Sequence, residues 1–269
     1  MGKVLGFIGC GNMARAMIGG IVNGKAFLPE NIIASDLTQK NLDAASKEYG
    51  ILGTTDNNEV AQKADILVLS IKPDLYSVVI DGIKDKVKED AIIVTIAAGK
   101  NIRGTEKLFG KKVKVVRVMP NTPALVGEGM AGMCANDEVT NEELEQVQKI
   151  FNCFGKAEVV SEKLMDVVTA VSGSAPAYVY MFIEAMADAA VLDGMPRDKA
   201  YTFAAQTVLG SAKMVIDTGM HPGVLKDMVC SPGGTTIEAV AVFEKEGLRN
   251  AVISAMRKCR KKSNELSNY

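Results

Sequence analysis

Val4-Leu5-Gly6-Phe7-Ile8-Gly9-Cys10-Gly11-Asn12-Met13-Ala14 is the stretch on which the fold turns. Its first five residues form an apolar run of the length expected for a buried parallel strand, and Gly9, Gly11 and Ala14 then give a G-x-G-x-x-A pattern. Each small residue answers a local need. Gly9 lets the strand turn sharply, Gly11 puts no side chain in the way of a pyrophosphate, and Ala14 lets a helix pack closely on the sheet. Met17, Ile18, Ile21 and Val22 continue at helical spacing, so the free N–H groups of that helix's first turn make an anion site out of backbone. Tight packing alone also produces such glycines, and context decides the reading. A second apolar strand, Ile32-Ile33-Ala34-Ser35, ends in Asp36, where an acid that bonds a ribose belongs.

Beyond this unit, apolar runs over residues 66–70, 91–96 and 114–118 read as strands. Helical patterns over 39–49, 57–63 and 75–83 alternate with them, the first stopped by Gly50. This alternation predicts a doubly wound parallel sheet over residues 1–160. Ligands of such sheets lie outside the carboxyl ends of the strands. Those ends hold Gly9, Cys10, Gly11 and Asn12, then Asp36, then Ile71-Lys72-Pro73, then Ala97-Ala98-Gly99, then residues 119–123. Ala97 and Ala98 are small enough for a flat ring to approach the backbone. Close strand–helix packing is the ordinary explanation for any one of these turns.

From residue 161 the strand signals stop. Helices are expected over 162–171, 175–192, 196–218, 223–229 and 236–246, and from 248 onward, giving an all-helical second domain over 161–269. Tyr178, Phe182, Met186 and Ala189 lie in a segment apolar over most of its circumference, which a small helical domain covers most easily by pairing with a second copy. Two polar stretches interrupt this half. Ser172-Gly173-Ser174-Ala175-Pro176 and Ser231-Pro232-Gly233-Gly234-Thr235-Thr236 both read as helix N-termini able to hold a carboxylate or phosphate, or merely capped by Ser174 and by Thr235 or Thr236.

Composition sets limits on partners. The chain has 269 residues, of which 48% are hydrophobic, enough for a substantial core. Its 31 basic and 32 acidic residues leave a net charge of −1, with no electrostatic footprint for nucleic acid or an anionic membrane. No apolar run is expected to reach the roughly 20 residues of a membrane span, and a cytoplasmic location follows from the lack of a signal-peptide pattern. Five scattered cysteines and a single histidine, His221, argue for reduced structural thiols and against a metal site. His221 precedes Pro222-Gly223 in a turn, a setting that favours a structural role.

These motifs together resemble pyrroline-5-carboxylate reductase: the glycine loop, Lys72-Pro73, Ala97-Ala98-Gly99, Asn121-Thr122-Pro123, residues 172–178, and above all Leu225-Lys226-Asp227-x-x-x-Ser231-Pro232-Gly233-Gly234-x-Thr236. The likeness runs through nearly the whole chain, and its last motif is the specific one. Ala175 departs from it, standing where the family has glycine. The resemblance implies a Rossmann-type domain followed by a helical dimerisation domain. It implies reduction of the C=N bond of 1-pyrroline-5-carboxylate to L-proline by hydride transfer from NADPH or NADH, and a homodimer that assembles further into a ring such as a decamer. For cofactor binding it implicates Ile8, Gly9, Cys10, Gly11, Asn12, Met13, Asp36, Asn57, Ile71, Lys72, Pro73, Ala97 and Ala98. Asp36 leans the choice toward NADH, because a carboxylate repels a 2′-phosphate. For substrate it implicates Glu162, Ser231, Gly233, Gly234, Thr235 and Thr236, with the Thr236 hydroxyl placed for catalysis. Glu162 has an equal alternative as a first-turn acid at a helix start. The rival is a hydroxyacid dehydrogenase or other imine reductase of the same two-domain plan, but residues 172–178 lack the lysine that a hydroxyacid dehydrogenase presents there.

Overall fold

The computed structural model describes residues 2–267. Among these, eight strands form one sheet: β1 (Leu5–Ile8), β2 (Ile32–Ser35), β3 (Leu52–Thr54), β4 (Ile66–Leu69), β5 (Ile92–Thr95), β6 (Lys114–Met119), β7 (Gly129–Ala135) and β8 (Gly155–Val159). Their spatial order is β3-β2-β1-β4-β5-β6-β7-β8, parallel throughout except for the antiparallel β6–β7 pair. Around the sheet lie α1 (Asn12–Asn23), α2 (Gln39–Tyr49), α3 (Asn57–Lys63), α4 (Tyr76–Ile83), α5 (Ile102–Phe109) and α6 (Asn141–Phe151). The strand order reverses between β1 and β4, the position at which doubly wound sheets open a crevice for a ligand.

The period of two along each strand sorts the core into two layers. Leu5 and Phe7, Ile32 and Ala34, Ile66 and Val68, and Ile92 and Val94 face one layer with Met17, Ile18 and Ile21 of α1. Ile8, Ile33, Leu67, Leu69 and Ile93 face the other with Val60 of α3 and Ile80 and Ile83 of α4. Because both faces are covered, the strands read as continuous apolar runs.

The remaining helices are α7 (Met165–Val168), α8 (Ala175–Leu192), α9 (Arg197–Thr218), α10 (Pro222–Val229), α11 (Thr235–Lys245) and α12 (Leu248–Ser267). Between α7 and α8 the sequence predicts a break with a fresh helix N-terminus. Instead the chain stays helical, with a π turn over Thr169–Gly173 in which the Ser174 N–H donates to the Thr169 carbonyl at 2.8 Å. That amide is consumed within the turn, so residues 172–176 do not form a free anion-binding terminus. The run Glu162–Leu192 is also long and apolar enough, by length and composition, to cross a membrane. This corrects the expectation that no segment approaches that limit.

The chain separates into two compact units. The first contains the sheet, its helices, the chain through Ser174, and the last turns of α12 from Cys259; the second runs from Ala175 to Lys258. Residues 161–174 thus stay with the sheet, on which α7 and the π turn pack: Met165 and Ala170 are buried, and a Cβ on Gly132 of β7 would lie 2.6 Å from Val168. In the second unit the buried core is small, built on Ala187, Ala200 and Ala204 with Ile183, Met186 and Met195 against them. Met181, Phe182, Phe203, Met214 and Ile216 are exposed within the single chain.

Candidate cofactor and substrate sites

Backbone geometry at the end of β1 requires a glycine. Gly9 has φ +94°, and a Cβ there would lie 2.5 Å from the Ser70 carbonyl oxygen. The loop it opens is tied on both sides. The Gly9 N–H donates to the Ser35 carbonyl at 2.8 Å, the Cys10 N–H donates to Asp36 Oδ2 at 2.8 Å, and the Ser70 hydroxyl donates to the Gly9 carbonyl at 2.6 Å. Thus the ends of β2 and β4 clamp the turn that follows β1. Gly11 is the N-cap of α1, with no side chain capping that helix and open space where its Cβ would be.

A cavity of about 730 Å³ lies at this loop. Of the residues expected to contact a cofactor, Ile8, Gly9, Gly11, Asp36, Asn57, Ile71 and Lys72 line it. Leu37, Thr38, Asn58, Ser70, Leu75, Val78 and Val79 line it as well and were not foreseen. Ser70 was within reach of the sequence argument, since it ends a strand beside the switch point. The apolar wall from α4 was not, because strand-end reasoning says nothing about which helix face closes a groove. Its volume, open backbone and largely apolar lining with a few polar groups suit a dinucleotide.

Other expected cofactor residues sit outside this cavity. Cys10 belongs to the loop through its backbone only; its side chain is fully buried in the core, and burial, followed by the charge of Asp36, pushes its thiol up to about 11. Asn12 is exposed at the first position of α1, while Met13 packs against the core. Pro73 opens the short 3₁₀ turn Pro73–Leu75, and Ala97 and Ala98 follow β5, half-buried. Tyr76 joins the ends of β4 and β5: its hydroxyl reaches the Leu69 carbonyl at 3.0 Å and Thr95 Oγ1 at 2.7 Å. Burial pushes this phenol up to about 12, so it stays a neutral brace.

Asp36 is more heavily used than a ribose ligand need be. Besides Cys10, its carboxylate accepts from the Thr38 N–H at 2.8 Å and from Asn41 Nδ2 at 3.2 Å. Asn57 accepts from the Ser35 hydroxyl at 2.7 Å. Glu162 lies in the sheet unit, and its Oε1 accepts from the Ile102 N–H at 2.8 Å and from Arg117 at 3.3 Å. Arg117 is buried, so Glu162 both starts α5 and neutralises a buried cation.

In the helical unit, residues 231–234 form a turn in which the Gly234 N–H donates to the Ser231 carbonyl at 3.0 Å, with Gly233 at φ +66°. Pro232 and Gly233 are the residues a type II turn selects at its two central positions. Gly234 is the N-cap of α11 and no side chain caps that helix. The expected capping by Thr235 or Thr236 is therefore absent: Thr235 is exposed and Thr236 half-buried, both inside the first turn. His221, by contrast, does cap a helix, accepting from the Gly223 N–H at 3.0 Å through Nδ1 at the start of α10.

Known proteins match this arrangement along its length. Residues 162–266 match the family model described as pyrroline-5-carboxylate reductase dimerisation, and residues 4–99 match the one described as NADP oxidoreductase, coenzyme F420-dependent. A pyrroline-5-carboxylate reductase of Escherichia coli (strain K12) is 51% identical over 267 residues, 99% of each chain. The chain belongs to the pyrroline-5-carboxylate reductase family. Two solved members share its fold: the pyrroline-5-carboxylate reductase of Coxiella burnetii, at TM-score 0.92 and 34% identity over 98% of each chain, and the Plasmodium falciparum pyrroline carboxylate reductase with NADP bound, at 0.90 and 35% over 98% of each. Membership makes the chain an NAD(P)H-dependent reductase with a dimerisation domain, and it accounts for the apolar side chains that the helical unit leaves uncovered.

Proposed function

We propose that this chain reduces the C=N bond of 1-pyrroline-5-carboxylate to L-proline, the last step of proline biosynthesis, with the hydride supplied by a bound NAD(P)H. The observation that carries this reading is the backbone-lined cavity at the switch point, in a chain that matches pyrroline-5-carboxylate reductases from end to end. Residues 1–160 serve the dinucleotide and residues 161–269 serve substrate binding and dimerisation. Gly9, its own amide bonded to Ser35, shapes the turn, while Gly11 and the first turn of α1 present N–H groups to the pyrophosphate. Asp36 and Asn57 face the adenosine ribose, Ile71, Lys72 and Pro73 flank the crevice, and Ala97 and Ala98 leave room for a flat ring. Asp36 places negative charge where a 2′-phosphate would sit, which tilts the preference toward NADH.

A protonated cyclic imine is already electrophilic, so the protein's task is chiefly to hold it in a reactive orientation. In the Ser231–Thr236 loop, whose turn the Gly234 amide closes, the backbone N–H groups of Ser231, Gly233, Thr235 and Thr236 hold the substrate carboxylate, and the Thr236 hydroxyl bonds the ring nitrogen or that carboxylate. Glu162 contributes by fixing Arg117 and the start of α5. The dimer assembles further into a ring such as a decamer and works in the cytoplasm, without membrane or nucleic-acid partners. Oxidation of NADPH or NADH on adding pyrroline-5-carboxylate tests the activity; no oxidation with either cofactor refutes it. Sedimentation at low concentration tests the assembly, and a folded, active monomer would exclude an obligatory dimer.

A further inference from the structure

The last turns of α12 carry a single functional stripe. Cys259, Ser263, Leu266 and Ser267 stand at spacings of i, i+4, i+7 and i+8, which places them on one helix face. Each meets the sheet unit. Cys259 Sγ lies 3.3 Å from Ser174 Oγ, the buried Ser263 hydroxyl donates to Asp166 Oδ1 at 2.7 Å, and Ser267 accepts through its carbonyl from Asn101 Nδ2 at 3.0 Å. Asp166 also receives Asn264 Nδ2 at 3.2 Å and the Ser267 hydroxyl at 3.4 Å. One carboxylate therefore gathers three side chains from the C-terminal turn of a helix. The helix dipole disfavours an acid at that end, so these bonds offset an electrostatic cost that a neutral acceptor would not incur.

What this contact holds is the turn after β5. Gly99 has φ +75°, and a Cβ on it would lie 3.0 Å from Leu266 Cβ and 3.1 Å from the Leu266 carbonyl oxygen. Asn101, whose Nδ2 bonds Ser267, is also the N-cap of α5, accepting from the Gly104 N–H at 2.6 Å. Ala97 packs inward against the core. Ala97, Ala98 and Gly99 have almost no side chain with which to fix their own conformation, so the end of α12 supplies the outer wall. We propose that Asp166 is a positioning residue for the nicotinamide half of the cofactor, acting through the α12 terminus on the turn of Ala97, Ala98 and Gly99. This deepens the reading of Ala97 and Ala98 as cofactor contacts and rests on it.

Binding of NADPH, and separately of 2′,5′-ADP, to the full-length chain tests it, because the adenine fragment uses only the glycine-loop side. Asp166→Ala should weaken NADPH about tenfold, the effect of losing bonds to a charged acceptor, and lower kcat, while 2′,5′-ADP stays within about twofold. Asp166→Asn, which keeps one acceptor, should recover most of the loss. Ser263→Ala gives a milder form of the same pattern and serves if Asp166→Ala does not fold. Ala98→Leu in the wild-type background tests the underlying reading. Weakened NADPH in Ala98→Leu with unchanged NADPH and kcat in Asp166→Ala and Ser263→Ala overturns the positioning role alone. Unchanged NADPH in Ala98→Leu overturns the reading of the turn and the proposal with it. Equal weakening of NADPH and 2′,5′-ADP by Asp166→Ala marks a general structural defect and also overturns it.

Discussion

Two glycine-opened helix starts, one in each compact unit, differ in how much of their surroundings a single chain provides. At the start of α1, Gly9 is pinned between the ends of β2 and β4, Cys10 is bonded to Asp36, and a cavity of about 730 Å³ lies alongside. At the start of α11, the turn of residues 231–234 is held by its own backbone bond, Ser231 and Thr235 are exposed, and the helices around it leave Met228, Val229 and Phe243 open. The first site is finished within its own unit. The second sits in a region that matches the dimerisation family model, and its apolar surroundings are left uncovered by the single chain. Substitutions at the two starts should therefore fail in different ways.

The largest effect is expected at Gly9. Gly9→Val forces a β-branched residue into φ > 0, at about 1–3 kcal/mol, and drives its side chain into the Ser70 carbonyl at further cost. Cofactor binding by fluorescence titration should disappear and the melting temperature should fall together; retained NADPH binding would mean that the clamped loop is not the pyrophosphate site. Thr236→Ala comes next. A hydrogen bond to a charged group contributes roughly 1.5–3 kcal/mol, so kcat/KM should drop roughly ten- to a hundredfold. Since Thr236 caps nothing, the melting temperature should hold, and Thr236→Ser should keep most activity. A lower melting temperature with normal turnover would make Thr236 structural and remove the difference between the two starts.

Asp36→Ser probes the clamp more gently. Removing the charge should shift the ratio of kcat/KM for NADH over NADPH toward NADPH by about tenfold, and a strong wild-type preference for NADPH would remove the role assigned to Asp36. Cys10 marks the smallest effect. Its thiol, held near 11 by burial and by Asp36, should resist iodoacetamide at pH 8 in the folded chain and react on unfolding. Because the folded value is raised, the stability associated with this group is fully present below the ordinary thiol range and is lost as pH rises through about 11. Rapid labelling of native Cys10 at pH 8 would show that the loop opens readily.

The sheet was readable where strands are buried on both faces, because β1, β2, β4 and β5 are unbroken apolar runs that admit little else. It was unreadable in β7 and β8. Gly129, Gly132 and Ala131 offer no β-branched signal, while Lys156 and Glu158 put charge on an edge strand. β3 is three residues with a glycine at its centre. The glycine loop was legible because its geometry is set by the backbone and its two glycines, Gly9 and Gly11, stand only two positions apart. Asp166, Ser263 and Leu266 were not, since Ser263 lies 97 residues beyond Asp166 and Leu266 still farther beyond Gly99, and nothing but the folded chain brings them together.

The π turn at Thr169–Gly173 adds one residue to a helical circuit, which rotates everything after it by about 100° relative to what precedes it. Met165 and Ala170 before and within it seat on the sheet unit, whereas Ala187 beyond it seats on the helical unit. The wide turn works as a phase shifter within the helix, and a deletion of a single residue there would turn every face of α8 by about 100° about its own axis without breaking a helix.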